Sequence, residues 1–249
     1  MEHVRDEAAL QDSAGREVRI AVDRGAVRTP RLLPPCPYEF PDPGTAGRNE
    51  TVVARGGDFY PGTVMAAYRR GLFPWPHEDE EYLWFSPEPR AILPVDGVRI
   101  SRRLARTVRS GRFTATVDRA FEDVMTLCAL RPGEGTWITP ALIEGYVALH
   151  EAGHAHSVEV WDGDGSLAGG LYGVAAGAMF GAESMFYRVR DASKVALVAL
   201  AEVALEIGIE LIDVQVVTEH TQRMGVVEIP RRDYLSRLKV ALQREVSWG

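Results

Sequence analysis

The spacing of apolar positions changes period repeatedly along the chain, and each change marks an element. Ile100 to Arg109 has helical spacing with Ser101 near its start, Phe113 to Val117 reads as a strand, and Arg119 to Leu130 as a helix. Thr139-Pro140 is an N-cap followed by proline at the first helical position, and Leu142, Tyr146, Leu149 and His150 then share one face until Gly153. Ser157 to Trp161 is a strand, Asp162-Gly163-Asp164-Gly165 a hairpin turn, and Leu167 to Val174 and Ala178 to Phe186 two further strands. A long apolar helix opens at Asp191 or Ser193, runs to Ile207 and closes at Gly208. Glu210 to Val217 is a strand, Thr218 to Met224 a short helix, Val226 to Ile229 a strand, and Arg231 to Glu245 a terminal helix after Pro230. Helices alternate with strands around an antiparallel run, which is the pattern of an α+β fold.

The front of the chain is less regular. Residues 1–35 mix charge and proline and read as an extension without chemistry, apart from a short strand at Glu17 to Val22. Pro34 to Asn49 is rich in proline and glycine. A compact unit begins near Thr51, with Pro61 opening a helix that Gly71 closes. The stretch from Leu72 to Arg90 carries Phe73, Trp75, Tyr82, Trp84 and Phe85 among prolines that forbid a regular helix, with an acidic patch at His77 to Glu81.

Composition narrows the class. The chain has 249 residues, 46% hydrophobic and 25% charged, with no apolar run near the roughly 20 residues a membrane span needs and no signal-peptide core at its start. Cys36 and Cys128 make neither a disulfide framework nor a metal spacing. These features fit the cytoplasm. The net charge of −7 disfavours nucleic acid overall, yet Arg99, Arg102, Arg103, Arg106, Arg109 and Arg112 follow one another with no acid between them. That strip is either a solvated helix face or a phosphate-contacting surface.

Four constellations carry candidate chemistry. His150-Glu151-Ala152-Gly153-His154 has the HExxH form of a zinc protease, but the helix ends at Gly153, so the histidines fit loop and cap hydrogen bonds better than a metal. In Glu210 to Val217, strand alternation turns Asp213 and Gln215 to one face, roughly 6.5–7 Å apart. An acid and an amide in so apolar a strand are either hydrogen-bonded into the structure or functional. Glu183 is a second carboxylate in an apolar strand, and Ser184 beside it lacks a nucleophile elbow. The aromatic segment with Trp75, and Trp137 further on, offer flat rings suited to core packing or to base stacking. There is no Walker A loop and no G-x-G-x-x-G. The turn Arg188 to Ser193 has no glycine where an acetyl-CoA transferase would carry a pyrophosphate loop.

Taken together the motifs resemble a known family. Gly56-Gly57-Asp58, Tyr68 to Trp75, Trp84 to Arg90, Ile100-Ser101-Arg102, Glu134 to Thr139, Gly153 to Ser157, Gly181 to Phe186, Ala192-Ser193-Lys194, Leu211 to Gln215 and Glu228 to Leu235 fall in the order found in bacterial leucyl/phenylalanyl-tRNA–protein transferases. The resemblance implies a small N-terminal domain, here residues 36–89, and a larger one, residues 90–249. The larger domain would be acetyltransferase-like (GNAT-like), with a mainly antiparallel sheet and no cofactor. It implies transfer of Leu, Phe or Met from aminoacyl-tRNA to proteins beginning with Arg or Lys, marking them for degradation. By the same resemblance Asp213, Gln215 and Glu183 are catalytic, and Trp75, Trp137 and Tyr68 lie near the tRNA 3′ end. Leu171, Phe180, Leu200 and Ala204 line the amino-acid pocket, and Arg102, Arg106 and Arg109 contact the tRNA backbone. No metal is implied, and a monomer is expected. Leu200 and Ala204 are smaller than the aromatics some relatives place there. The alternatives are an aminoacyl-tRNA-dependent transferase with another acceptor, and a zinc hydrolase built on the HEAGH segment.

Overall fold

The computed structural model describes residues 9–25, 28–75, 81–130 and 136–248. The acidic patch at 77–80 and residues 131–135 lie outside them. The elements in chain order are β1 (Val22–Arg24), β2 (Val52–Arg55), α1 (Pro61–Arg69), β3 (Phe73–Pro74), β4 (Leu83–Phe85), β5 (Arg90–Leu93), α2 (Arg102–Arg109), β6 (Thr114–Val117), α3 (Phe121–Ala129) and α4 (Pro140–Glu151). They continue with β7 (Ala155–Trp161), β8 (Leu167–Ala176), β9 (Met179–Tyr187), α5 (Ala192–Ile207), β10 (Leu211–Gln215), α6 (Glu219–Arg223), β11 (Val227–Ile229) and α7 (Arg231–Ala241). Among the described residues, eight strands form one mostly antiparallel sheet in the order β1-β6-β7-β8-β9-β10-β5-β11, and β2-β4-β3 form a small second sheet.

The large sheet buries a different core on each face. One holds Leu104 and Val108 of α2 with Val195, Leu197 and Leu200 of α5. The other holds residues of α1, α3, α4 and α7, among them Tyr68, Val124, Tyr146 and Tyr234. Successive strand residues supply the two cores in turn: Met179 and Leu211 face the second, Phe180 and Ile212 the first. The caps are those expected, with Ser101 accepting from Leu104 N–H, Thr139 from Leu142 N–H, and Gly208 left-handed after α5.

Several expectations change. Residues 9–25, expected within an extension, pack into the sheet: Leu10 and Val18 are buried and β1 pairs in parallel with β6. The strand expected at Glu17 to Val22 starts only at Val22, because Glu17 is bridged instead to Gln11. The aromatic, proline-rich segment contains the short strands β3 and β4, paired where proline needs no donor. β10 stops at Gln215, at a bulge described below. The last helix stops at Ala241, whose carbonyl accepts from Ala178 N–H at 2.9 Å.

The small unit is joined to α4 by close backbone approach. A Cβ on Gly145 would lie 2.1 Å from the Phe59 carbonyl oxygen. Gly145→Ala should therefore destabilise the chain by about 1–3 kcal/mol through overpacking. A thermal melt would show this as a loss of about 2–4 °C per kcal/mol. An unchanged melting temperature would mean that the segment around Phe59 yields freely.

Candidate active site

The site is built where the central parallel pair comes apart. β9 and β10 are in register at Met179–Leu211, Phe180–Ile212 and Gly181–Asp213, and their pairing ends there. On its other edge β10 shifts register against β5 between Asp213 and Gln215. Beyond the shift Gln215 takes a φ of +66°, a strained backbone for a residue with a side chain. Asp213 holds it there: its Oδ1 accepts the Gln215 backbone N–H at 2.9 Å.

Asp213 is itself fully buried and fully occupied. Arg90 donates from Nε to Oδ1 at 2.8 Å and from Nη2 to Oδ2 at 2.6 Å, and the Tyr234 hydroxyl donates to Oδ2 at 2.9 Å. With the Gln215 amide, four donors fill the roughly four lone-pair positions of the carboxylate. Arg90 is equally enclosed. Its guanidinium carbon lies 4.7 Å from the Phe73 ring centre and 4.4 Å from that of Tyr234, and Nη1 donates to the Gly71 carbonyl at 3.2 Å. Burial alone would ease a proton off Arg90, but the Asp213 charge beside it raises its pKa instead.

Glu183 has a different environment. The Tyr68 hydroxyl donates to its Oε1, and so does Gln215 Nε2 at 2.6 Å. Tyr68 is in turn hydrogen-bonded to the Tyr146 hydroxyl at 2.9 Å. Oε2 is buried and has no partner among the described residues. Burial lifts the carboxyl pKa from 4.5 to about 8, with the donors from Tyr68 and Gln215 opposing and the Asp213 charge reinforcing. Burial, then the neighbouring Glu183, raises both phenols, so they remain neutral donors.

Asp213, Gln215, Glu183 and Tyr68 are thus brought into one network. Three members were not anticipated: Arg90, Tyr146 and Tyr234. The available signal was the cost of a buried carboxylate, which requires a partner somewhere in the chain, and Arg90 opens an apolar strand otherwise without charge. Trp75 is 37% exposed and rests against Phe85 at 5.9 Å, which stacks on Phe73 at 6.0 Å, so a line of rings leads from it to Arg90. Trp137 packs, partly buried, on the core that includes Tyr68.

A cavity of about 200 Å³ opens on the α5 side of the strand gap, lined by Leu171, Ala182, Met185, Leu197, Val214 and Val226, with Glu183, Thr218 and His220 also in its wall. Of the expected pocket residues Leu171 lines it. Phe180, Leu200 and Ala204 are fully buried in the core behind it. Arg102 and Arg106 are exposed on α2. Arg109 is committed elsewhere, donating to the Glu17 carbonyl at 2.6 Å and lying 3.4 Å from Asp12. The HEAGH histidines do not share a helix face, because α4 ends at Glu151. His150 Nδ1 meets the Ala155 carbonyl and His154 Nε2 that of Arg31, each at 2.8 Å, while His156 Nδ1 meets Asp118 at 2.7 Å.

Breaking a buried ion pair leaves an uncompensated charge and costs about 3–5 kcal/mol. Asp213→Asn and Arg90→Met should each lose that much in urea unfolding. The double variant should lose clearly less than the sum, because the pair is one unit. Additive losses would show that the two side chains stabilise the chain independently.

Comparison with known proteins gives the family. The family model described as leucyl/phenylalanyl-tRNA protein transferase matches residues 92–239, and that of the corresponding N-terminal domain matches residues 57–88. A leucyl/phenylalanyl-tRNA–protein transferase of Anaeromyxobacter sp. (strain Fw109-5) is 50% identical over 218 residues, covering 86% of this chain and 92% of its own. Those of Nitratidesulfovibrio vulgaris (strain DP4) and Myxococcus xanthus (strain DK1622) are 47% and 48% identical over 216 residues, with the same coverage. Among solved structures, L-PGS from Bacillus licheniformis aligns with 51% of this chain and 44% of its own at 17% identity and a TM-score of 0.33, which is too distant to bear on the fold. The chain belongs to the leucyl/phenylalanyl-tRNA–protein transferase family.

Proposed function

We propose that this aminoacyltransferase moves Leu, Phe or Met from aminoacyl-tRNA to the α-amine of proteins beginning with Arg or Lys, marking them for degradation in the cytoplasm. The observation that carries the chemistry is Glu183, a buried carboxyl with one unpartnered oxygen in the wall of an apolar cavity and hydrogen-bonded to Gln215. A mostly antiparallel sheet whose one central parallel pair separates supports an acetyltransferase-like reading of the fold, used without acetyl-CoA.

The aminoacyl ester is already activated. The acceptor amine has a free pKa of about 7.7–8.0, close to the Glu183 value of about 8. Proton transfer between matched groups needs little driving force, which makes Glu183 the natural acceptor. The neutral amine attacks the ester carbonyl carbon and a C–N bond forms. Its proton passes to the Glu183 carboxylate, and collapse of the tetrahedral intermediate breaks the C–O bond, with the proton delivered to the departing ribose oxygen. Gln215, donating through Nε2, keeps Oε1 to accept from the attacking amine. Asp213 acts through Gln215: with all its positions filled it fixes the left-handed backbone. The cavity receives the aminoacyl side chain, with Phe180, Leu200 and Ala204 supporting its wall from behind. Trp75 and Trp137 serve the terminal adenosine, and Arg102 and Arg106 the RNA backbone.

Labelled Leu, Phe and Met on charged tRNA should pass to peptides beginning with Arg or Lys and not to one beginning with Ala. Equal transfer to all three would sink the acceptor assignment, and no transfer would sink the activity. Glu183→Gln should lower the single-turnover rate by about 10²–10⁴-fold; a rate within a few-fold of native would remove Glu183 from the proton path.

The same group makes a stability prediction. Between pH 4.5 and about 8 the folded chain retains a proton on Glu183 that the unfolded chain has lost. Its contribution is therefore complete below the lower value and is lost as pH rises through the upper one. Urea midpoints of the native chain should fall across this window relative to those of Glu183→Gln, and parallel curves would contradict the raised pKa.

A further inference from the structure

The turn between β9 and α5 gathers more positive charge than it neutralises. Asp191 precedes α5 at a left-handed φ of +71°, and its carbonyl accepts the backbone N–H groups of Lys194 and Val195, each at 3.0 Å. Three cations converge on its carboxylate. Arg103 reaches across from α2 in a two-pronged contact, with Nη2 at 2.9 Å from Oδ1. Lys194 Nζ lies 3.5 Å from Oδ1, and Arg190 Nε 4.0 Å from Oδ2. One carboxylate against three cations leaves a formal surplus of two positive charges. The turn is pinned by the Arg103 contact, and the Arg190 side chain remains 82% exposed.

Two features relate this surplus to the cavity. Lys194 stands one helical turn before Leu197, a cavity residue. His220, also in the cavity wall, is depressed in pKa by burial and then by the charges of Lys194 and Arg223, so Lys194 lies within electrostatic reach of it. From Asp191 the exposed cations Arg102 and Arg106 continue along α2. A line of cations fits a chain of phosphates better than one small anion.

We propose that Arg103, Arg190 and Lys194 hold a backbone phosphate at the 3′ end of the RNA whose aminoacyl group enters the cavity. This rests on the reading of the chain as an aminoacyl-tRNA-dependent transferase. Side-chain cations would do here what a glycine-rich turn does for a pyrophosphate with backbone N–H groups.

Uncharged tRNA binding to the full-length protein, measured by fluorescence anisotropy over a series of KCl concentrations, tests this. Arg190→Gln and Lys194→Gln should each weaken binding about fivefold at 0.1 M salt and flatten the log–log salt dependence by about 0.7, the value of one released counterion on a single strand. Lys194→Arg should restore both. Lys239→Gln, on α7 against the opposite face of the sheet, should change neither. Salt slopes equal to native in both glutamine variants, or the same loss in Lys239→Gln, would overturn the inference. Inorganic phosphate abolishing tRNA binding at low millimolar concentration would also overturn it, in favour of a small-anion site. The binding readout is independent of transfer, so native protein that binds tRNA without transferring an amino acid would refute the proposed activity and leave the phosphate site to be judged by its slopes.

Discussion

The buried pair of Arg90 and Asp213 is the constraint on which the rest of the site depends. Ion pairs of this kind seldom stabilise a fold, because removing two charges from water costs several kcal/mol for each. Here the cost is offset by complete satisfaction: Asp213 has four donors, and Arg90 adds the Gly71 carbonyl and two aromatic faces. The return is geometric. Gly71 and Phe73 belong to the small unit, Arg90 opens β5, Asp213 lies on β10 and Tyr234 on α7. One guanidinium therefore fixes four parts of the chain, and through Asp213 it fixes the unfavourable backbone of Gln215. An apolar replacement could fill the volume but could not hold an N–H at a chosen position.

Three buried carboxylates show how the same chemistry is divided. Asp213 is balanced by an arginine. Among the described residues Glu159 has no cation within hydrogen-bonding distance but accepts from Thr116, Ser157 and the Ala120 backbone, a structural arrangement that uses both oxygens. Among the described residues Glu183 has its donors on one oxygen only. Burial raises the pKa of both glutamates, and Glu183 borders the apolar cavity. Availability, rather than acidity alone, separates the group suited to proton transfer from the two that hold the structure.

Much of this was legible from residue order. Periodicity located α2 to α5, α7 and the strands β6 to β10, because each has a long enough apolar face to show its spacing, while α6 and β11 were marked by Thr218 and Pro230 at their ends. The small sheet was not legible, since β3 has two residues and one is proline. Alternation put Asp213 and Gln215 on one face, but it could not show that Asp213 is saturated, because Arg90 stands 123 positions away in sequence. The arginine strip was legible only in part for a related reason. No acid interrupts it in sequence, yet Asp12 reaches Arg109 and Asp191 reaches Arg103 through the fold. Long-range pairing decides which cations remain free, and local pattern carries no record of it.

The splayed strand pair also explains why the chemistry falls where it does. Asp213, Gln215 and Glu183 belong with Tyr68, Tyr146 and Tyr234, on the face covered by α1, α4 and α7. The cavity and the cationic turn belong to the opposite face, with α2 and α5. A continuous sheet would separate the two, because its backbone hydrogen bonds leave no opening. Only where β9 and β10 cease to pair, after Gly181 and Asp213, can a group in the cavity meet side chains of the other face. Glu183 lies two residues past that point, lining the cavity while bonded to Tyr68 and Gln215. On the proposed function an ester carbonyl in this gap would have its side chain and RNA on one face of the sheet and its attacking amine on the other. The bulge that strains Gln215 thus lies beside the opening of the sheet, on the other edge of β10, and the Arg90–Asp213 pair holds the bulge in place.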